Sequence, residues 1–213
     1  LPQRSLQPPP LGDLPDMKSL CVYCGSSIGA SPRYAEAARA LAAAMVADNI
    51  ALVYGGGNVG LMGVIADEVM RLGGEATGVI PQALMDKEVG HRSLTRLHIV
   101  KDMHERKAMM AALSDGFIAM PGGIGTLEEL FEVFTWAQLG LHEKPIGLLN
   151  VDGFYDGLIG FLGHVVAQRF LRPEQASVLL HEAEAPALLL RMRNFKPAYF
   201  DKIVDRETAS RIA

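Results

Sequence analysis

The chain has 213 residues, a formal net charge of −4, 49% hydrophobic and 21% charged residues. This is the composition of a globular domain with ample core material, and with no basic tract it argues against nucleic-acid binding and against a polybasic membrane surface. No apolar run approaches the roughly 20 residues of a membrane helix, no signal-peptide h-region is visible, and two cysteines make no disulfide framework; a cytoplasmic, reducing location is expected.

Residues 1–17 are Pro-rich and lack a hydrophobic period, so they are expected to form a flexible, extended arm. A first strand is expected at Cys21–Cys24, followed by the turn Gly25-Ser26-Ser27 and an alanine-rich helix over Pro32–Asp48. A second strand, Ile50–Tyr54, ends in Gly55-Gly56-Gly57 and leads into a helix over Leu61–Arg71. A third strand, Ala76–Ile80, precedes an irregular stretch at 82–95. Then come a strand at Leu97–Val100, a helix over Met103–Leu113, a strand at Phe117–Met120 and a helix over Leu127–Leu139. The remainder reads as a strand at Pro145–Leu149, a helix over Phe154–Arg169, a strand at Val178–His181 and a helix over Pro186–Arg193. The catalytic domain is placed at 18–195 and a polar tail, capable of a terminal helix, at 196–213.

Strands alternating with helices imply βαβ units. The expected fold is α/β: a Rossmann-like, doubly wound parallel sheet with helices on both faces, in one domain. Such sheets bind ligands beyond the carboxyl ends of their strands. Three expected strands end in small-residue turns, at Gly25-Ser26-Ser27, Gly55-Gly56-Gly57 and Gly122-Gly123, which points to one shared site.

The sharpest motif is PGGIGTLEE, Pro121 to Glu129, between a strand and a helix. Its glycines let a ligand approach the backbone, and a helix N-terminus offers N–H groups to a phosphate. The plainer alternative is a tight turn before a capped helix, because Thr126 and Glu129 have the spacing of a capping box. The motif GGGNVG, Gly55 to Gly60, matches a dinucleotide fingerprint. The following strand, however, ends Gly78-Val79-Ile80-Pro81 without the acid that would hold a ribose, so it reads as a wall of a nucleotide site or as a close helix–strand contact. In MHERK, Met103 to Lys107, a zinc-protease motif fails because position 108 is Ala. Arg106 and Lys107 lie at a helix start, where cations oppose the helix dipole; they read either as solvated charge or as partners of an anionic substrate. Cys21 and Cys24 are three apart in a strand and so face opposite sides. No cluster has metal-ligand spacing, so no metal is expected, and no nucleophile elbow appears. On the last motif's helix, Leu127, Leu130, Phe131 and Phe134 form the core stripe, with Glu128, Glu132 and Thr135 opposite; Trp136 fits either core or a subunit interface.

PGGIGTLEE, MHERK and GGGNVGLMG, in this combination, resemble the Lonely Guy family of cytokinin riboside 5′-monophosphate phosphoribohydrolases, many of whose relatives were once labelled lysine decarboxylases. The resemblance covers about Lys18 to Met192. It implies a homodimer, a small-molecule nucleotide substrate, no cofactor, and hydrolysis of N6-substituted AMP to the free base and ribose 5-phosphate. The family's catalytic pair falls on Arg106 and Glu129. Its substrate contacts fall on Glu88, Arg106, Lys107, Gly122, Gly123, Ile124, Gly125, Thr126, Leu127, Glu128 and Thr135. Two features depart from the pattern: the N-terminal arm, and the segment Met85–Ser93 around Glu88.

Glycosidic cleavage passes through an oxocarbenium-like state. A carboxylate under the anomeric carbon stabilises that charge, and Glu129, near a helix N-terminus, is expected to be ionised. The principal rival is a non-enzymatic nucleotide or molybdenum-cofactor carrier on the same fold, which has no need of the Arg106 and Glu129 pair. An amino-acid decarboxylase would require a Schiff-base lysine motif, which is not recognisable.

Overall fold

The computed structural model describes residues 17–85, 90–91 and 93–197. The arm up to residue 16, Glu88 and the tail beyond 197 lie outside the described residues. Among those described, one sheet of seven strands contains β1 (Ser19–Tyr23), β2 (Ala51–Tyr54), β3 (Ala76–Pro81), β4 (Arg96–Val100), β5 (Gly116–Ala119), β6 (Ile146–Leu149) and β7 (Leu179–Glu182). Their order is β4-β3-β2-β1-β5-β6-β7, every neighbouring pair parallel. The helices are α1 (Pro32–Ala47), α2 (Gly60–Arg71), α3 (Gln82–Met85), α4 (Met103–Ala112), α5 (Ile124–Gln138), α6 (Asp156–Ala167), α7 (Pro173–Ala176) and α8 (Ala185–Arg193).

Alternate residues of β1 enter different cores, as a period of two requires. Leu20 and Val22 pack with α1, α2 and α8 on one face, while Cys21 and Tyr23 pack with α4 and α5 on the other. Cys24 joins the first core, so the two free, buried cysteines lie on opposite sides of the sheet, as expected. The central strands are apolar throughout because both faces are covered.

Local chemistry sets the helix starts. Ser31 accepts the Arg33 N–H at the head of α1, with Pro32 at its first position. Asp102 accepts the N–H groups of His104 and Glu105, each at 3.0 Å, and so caps α4. The largest departure from the sequence reading is α5, which begins at Ile124 rather than Leu127. Its N-cap is Gly123, with no side-chain cap, so Thr126 and Glu129 do not form a capping box. Thr126 instead lies buried within the first turn, its Oγ1 where a Cβ on Gly122 would be. That close approach is what Gly122 permits. Two short helices, α3 and α7, are additional, and α6 follows a 3-10 turn at Val151–Gly153 instead of starting at Phe154.

Candidate active site

Strand order reverses at β1. The helix after β1 packs on one face and the helix after β5 on the other, so the crevice between the carboxyl ends of these two strands is the ligand position of an open α/β sheet. The three small-residue turns meet there. The Gly25 N–H donates to the Pro121 carbonyl at 3.1 Å, and the Gly25 carbonyl accepts from Leu61 at 3.0 Å. Gly60 has φ +59° and lies against the Ser26–Ser27 backbone so closely that a Cβ would collide with it. Gly55 lies directly under the Arg106 guanidinium, where a Cβ would meet Nη2.

The first α-helical hydrogen bond of α5 runs from the Leu127 N–H to the Gly123 carbonyl at 3.2 Å. The N–H groups of Ile124, Gly125 and Thr126 precede it and form the N-terminal end of the helix dipole. Gly123, Ile124 and Gly125 are exposed, and no described residue lies within 4 Å of a Cβ built on Gly123 or Gly125. A small anion can therefore reach this end of the helix.

Arg106 and Glu129 are brought together from α4 and α5. Their side chains are only 12% and 11% exposed, and Nη2 lies 3.7 Å from Oε1. The Arg106 Nε is buried without a hydrogen-bond partner among the described residues. A buried guanidinium N–H in that state fits an anionic guest. Burial pushes the Glu129 carboxyl up from the ordinary 4.5 to about 7; Arg106 opposes this, while Glu128 adds to it. The expected ionisation by a helix N-terminus is thus not what governs Glu129. Because α5 starts at Ile124, Glu129 falls in the second turn, where the dipole has faded and desolvation dominates.

Lys107 is placed differently from its neighbour. Its Nζ bonds Glu128 at 2.7 Å and Glu132 at 3.0 Å, tying α4 to the outer side of α5. The hydrogen bond to Glu128 is the main cause that raises its pKa. Thr135 lies on the same side, exposed, with its hydroxyl donating to the Phe131 carbonyl at 2.7 Å. It sits roughly 9 Å along the helix from Glu129. Leu127 and Trp136 are half-buried against the core below α5, which is the core alternative for Trp136. Gly55, which the sequence reading placed at the shared site as part of its glycine turn, also has a role that reading did not state. Its signal was the first glycine of GGGNVG, but nothing in the sequence states that Arg106 lies over it.

The profile of the family described as "Possible lysine decarboxylase" matches residues 62–192. Cytokinin riboside 5′-monophosphate phosphoribohydrolase LOG5 of Arabidopsis thaliana is 48% identical over 180 residues, covering 84% of this chain and 79% of that protein. LOG7 of the same plant is 47% identical, covering 89% and 87%. Among solved structures, the molybdenum cofactor carrier protein of Chlamydomonas reinhardtii superposes with a TM-score of 0.64 at 16% identity, over 84% of this chain and 99% of that one. The molybdenum cofactor binding protein of Rippkaea orientalis gives 0.61 at 19% identity, over 84% and 96%. At those identities the structural likeness is one of fold.

Proposed function

The chain belongs to the family described as possible lysine decarboxylase, together with the cytokinin riboside 5′-monophosphate phosphoribohydrolases, and on that premise we propose that it hydrolyses the N-glycosidic bond of adenosine 5′-monophosphate or its N6-substituted forms. The products are the free adenine-type base and ribose 5-phosphate. The observation that carries this reading is the near-buried Glu129 carboxyl 3.7 Å from the Arg106 guanidinium, beside an accessible helix N-terminus.

In this reading the 5′-phosphate sits on the loop Gly122–Glu128, held by the N–H groups at the head of α5. That anchor uses binding energy remote from the breaking bond to place the anomeric carbon near Glu129. Ionised Glu129 stabilises positive charge on the sugar or activates water, and Arg106 opposes the burial that favours its protonated form and completes the charge network. Lys107, Thr135 and Glu88 are proposed as further substrate contacts, Glu88 from outside the described residues. The decarboxylase wording of the family description fits less well. Lys107, next in sequence to Arg106, is held protonated by two carboxylates, the opposite of what a Schiff-base lysine needs.

We further propose a homodimer. Helix α6 is the most apolar of the described helices, yet Leu158, Ile159, Leu162, Val165 and Val166 are only half-buried against the core, and its Phe161 and the nearby Phe170 are 60% and 87% exposed. A second copy covering this face accounts for that pattern. Free buried cysteines on opposite sheet faces suit a reducing cytoplasm, and the catalytic unit is taken as 18–195.

The test is chromatography of products from AMP, an N6-alkylated AMP and the corresponding nucleosides. Free base and ribose 5-phosphate are expected in equal amounts from the monophosphates. Absence of both, with carbon dioxide released from an amino acid instead, would overturn the assignment. Light scattering is expected to give twice the 23.0 kDa of one chain, and Phe161→Glu to halve it.

A further inference from the structure

Asp67 and His91 belong to none of the motifs and to no part of the site described above. Asp67 lies on α2, its side chain 73% exposed, and its Oδ1 is 2.8 Å from Nε2 of His91, whose side chain is only 7% exposed. The other ring nitrogen, Nδ1, accepts the Ser93 N–H at 3.3 Å. With Nδ1 accepting, Nε2 is the ring nitrogen that donates to Asp67.

The His91 backbone is bound to the glycine loop between β2 and α2. Its N–H donates to the Gly56 carbonyl at 3.2 Å, and Gly90 pairs with Gly57 in an antiparallel bridge. From below, the loop is seated on β3 and β4. A Cβ on Gly56 would lie 3.3 Å from Val79 N and from Leu97, and one on Gly78 would lie 2.8 Å from the Gly56 Cα. The next residue back, Gly55, is the surface on which the Arg106 guanidinium lies. The chain of contacts runs from Asp67 through His91, Gly56 and Gly55 to Arg106.

We propose that Asp67 and His91 form a latch that positions Arg106 by clamping the Gly55–Gly57 loop against it. Two facts make the clamp matter. Arg106 has a buried Nε without a partner among the described residues, makes only a long 3.6 Å contact from Nη1 to the Met103 Sδ, and faces Glu129 at 3.7 Å, so side-chain hydrogen bonds do little to fix it. Its seat is then steric, and a loop displacement of a fraction of an ångström moves the guanidinium by as much. Both are positioning residues, since neither touches the reacting groups.

The inference rests on the proposed function, so the test has one readout that does not. Asp67 is exposed, and Asp67→Ala leaves the core intact; Asp67→Asn keeps an Oδ1 that accepts from Nε2. For phosphoribohydrolysis, Asp67→Ala is expected to lower kcat/KM about 10-fold and Asp67→Asn less than twofold. The acid limb of the pH profile should move upward in Asp67→Ala alone. Glu129 is faced by Arg106 and Lys107, which lower its pKa, and by Glu128 and Glu132, which raise it; drawing Arg106 back removes the largest of the lowering influences. A merely structural Asp67 would leave that limb in place. Independently of activity, the Arg106 Nε–H resonance and the His91 amide exchange rate should change in Asp67→Ala and not in Asp67→Asn. Wild-type activity with an unaffected Asp67→Ala, or equal loss in both variants, overturns the latch. A wild type that releases no base refutes the proposed function instead, and the Arg106 resonance then decides the latch alone.

Discussion

Replacing Glu129 by Gln keeps the side chain's shape and removes its ionisation. Folding raises this carboxyl from 4.5 to about 7. Between those values the folded chain holds a proton that the unfolded chain has released, so stability falls as pH rises through that window and levels off above it. The gap is about 2.5 pH units at about 1.4 kcal/mol each. Ionised Glu129 therefore costs the fold roughly 3 kcal/mol at pH 8 and less than about 1 kcal/mol at pH 5. Relative to wild type, Glu129→Gln is expected to gain about 2–3 kcal/mol between pH 5 and pH 8, read by urea unfolding at both values. In the same variant turnover should fall on the order of 10²–10³-fold, while binding of ribose 5-phosphate persists. The residue that strains the fold at neutral pH is then the one on which the chemistry depends. A stability difference that is the same at both pH values would refute the burial argument, and near-normal turnover would remove Glu129 from the mechanism.

The kcat/KM profile should rise with pH through an acid limb near 7, where Glu129 loses its proton; a flat profile from pH 5.5 to 8 contradicts this. The nucleoside lacking its phosphate should react at least about 100-fold more slowly in kcat/KM, because it forfeits the contacts at the head of α5; equal rates would remove the phosphate anchor. Gly125→Ala meets no described residue around the new methyl, so thermal unfolding should show stability unchanged or raised by about 0.5 kcal/mol, while kcat/KM should fall because the methyl intrudes on the proposed phosphate seat. By contrast, Gly60→Ala combines φ +59° with a collision against Ser26, and denaturant unfolding should register a loss of roughly 2–4 kcal/mol.

Much of this was legible in the residues because the signals are local. The apolar runs that became β1, β2, β3, β5 and β6 are bounded by glycines and prolines, and strands buried on both faces need no alternation to be seen. Cys21 and Cys24 were assigned to opposite faces by spacing alone, and the two cores contain them accordingly. The reading failed where two local meanings compete. Thr126 and Glu129 have capping-box spacing, but the glycines before them allow α5 to begin a turn earlier, so Thr126 is packed and Glu129 desolvated. Arg106 and Lys107 are adjacent and chemically alike in sequence, yet one faces Glu129 and the other Glu128 and Glu132. Helical geometry turns successive residues about 100° apart, so neighbours must meet different partners.

The sequence by itself determined the fold class and the strand ends at which a ligand would sit, since periodicity and turn residues are properties of short stretches; the pair Arg106 and Glu129 was singled out by the family resemblance. Only the tertiary structure decided the burial that raises the Glu129 carboxyl, the seat of Arg106 on Gly55 and the link from Asp67 through His91 to that seat. Each of these depends on how much water is excluded and on which atoms far apart in the chain come within a few ångströms, and both are set by packing rather than by any local run of residues.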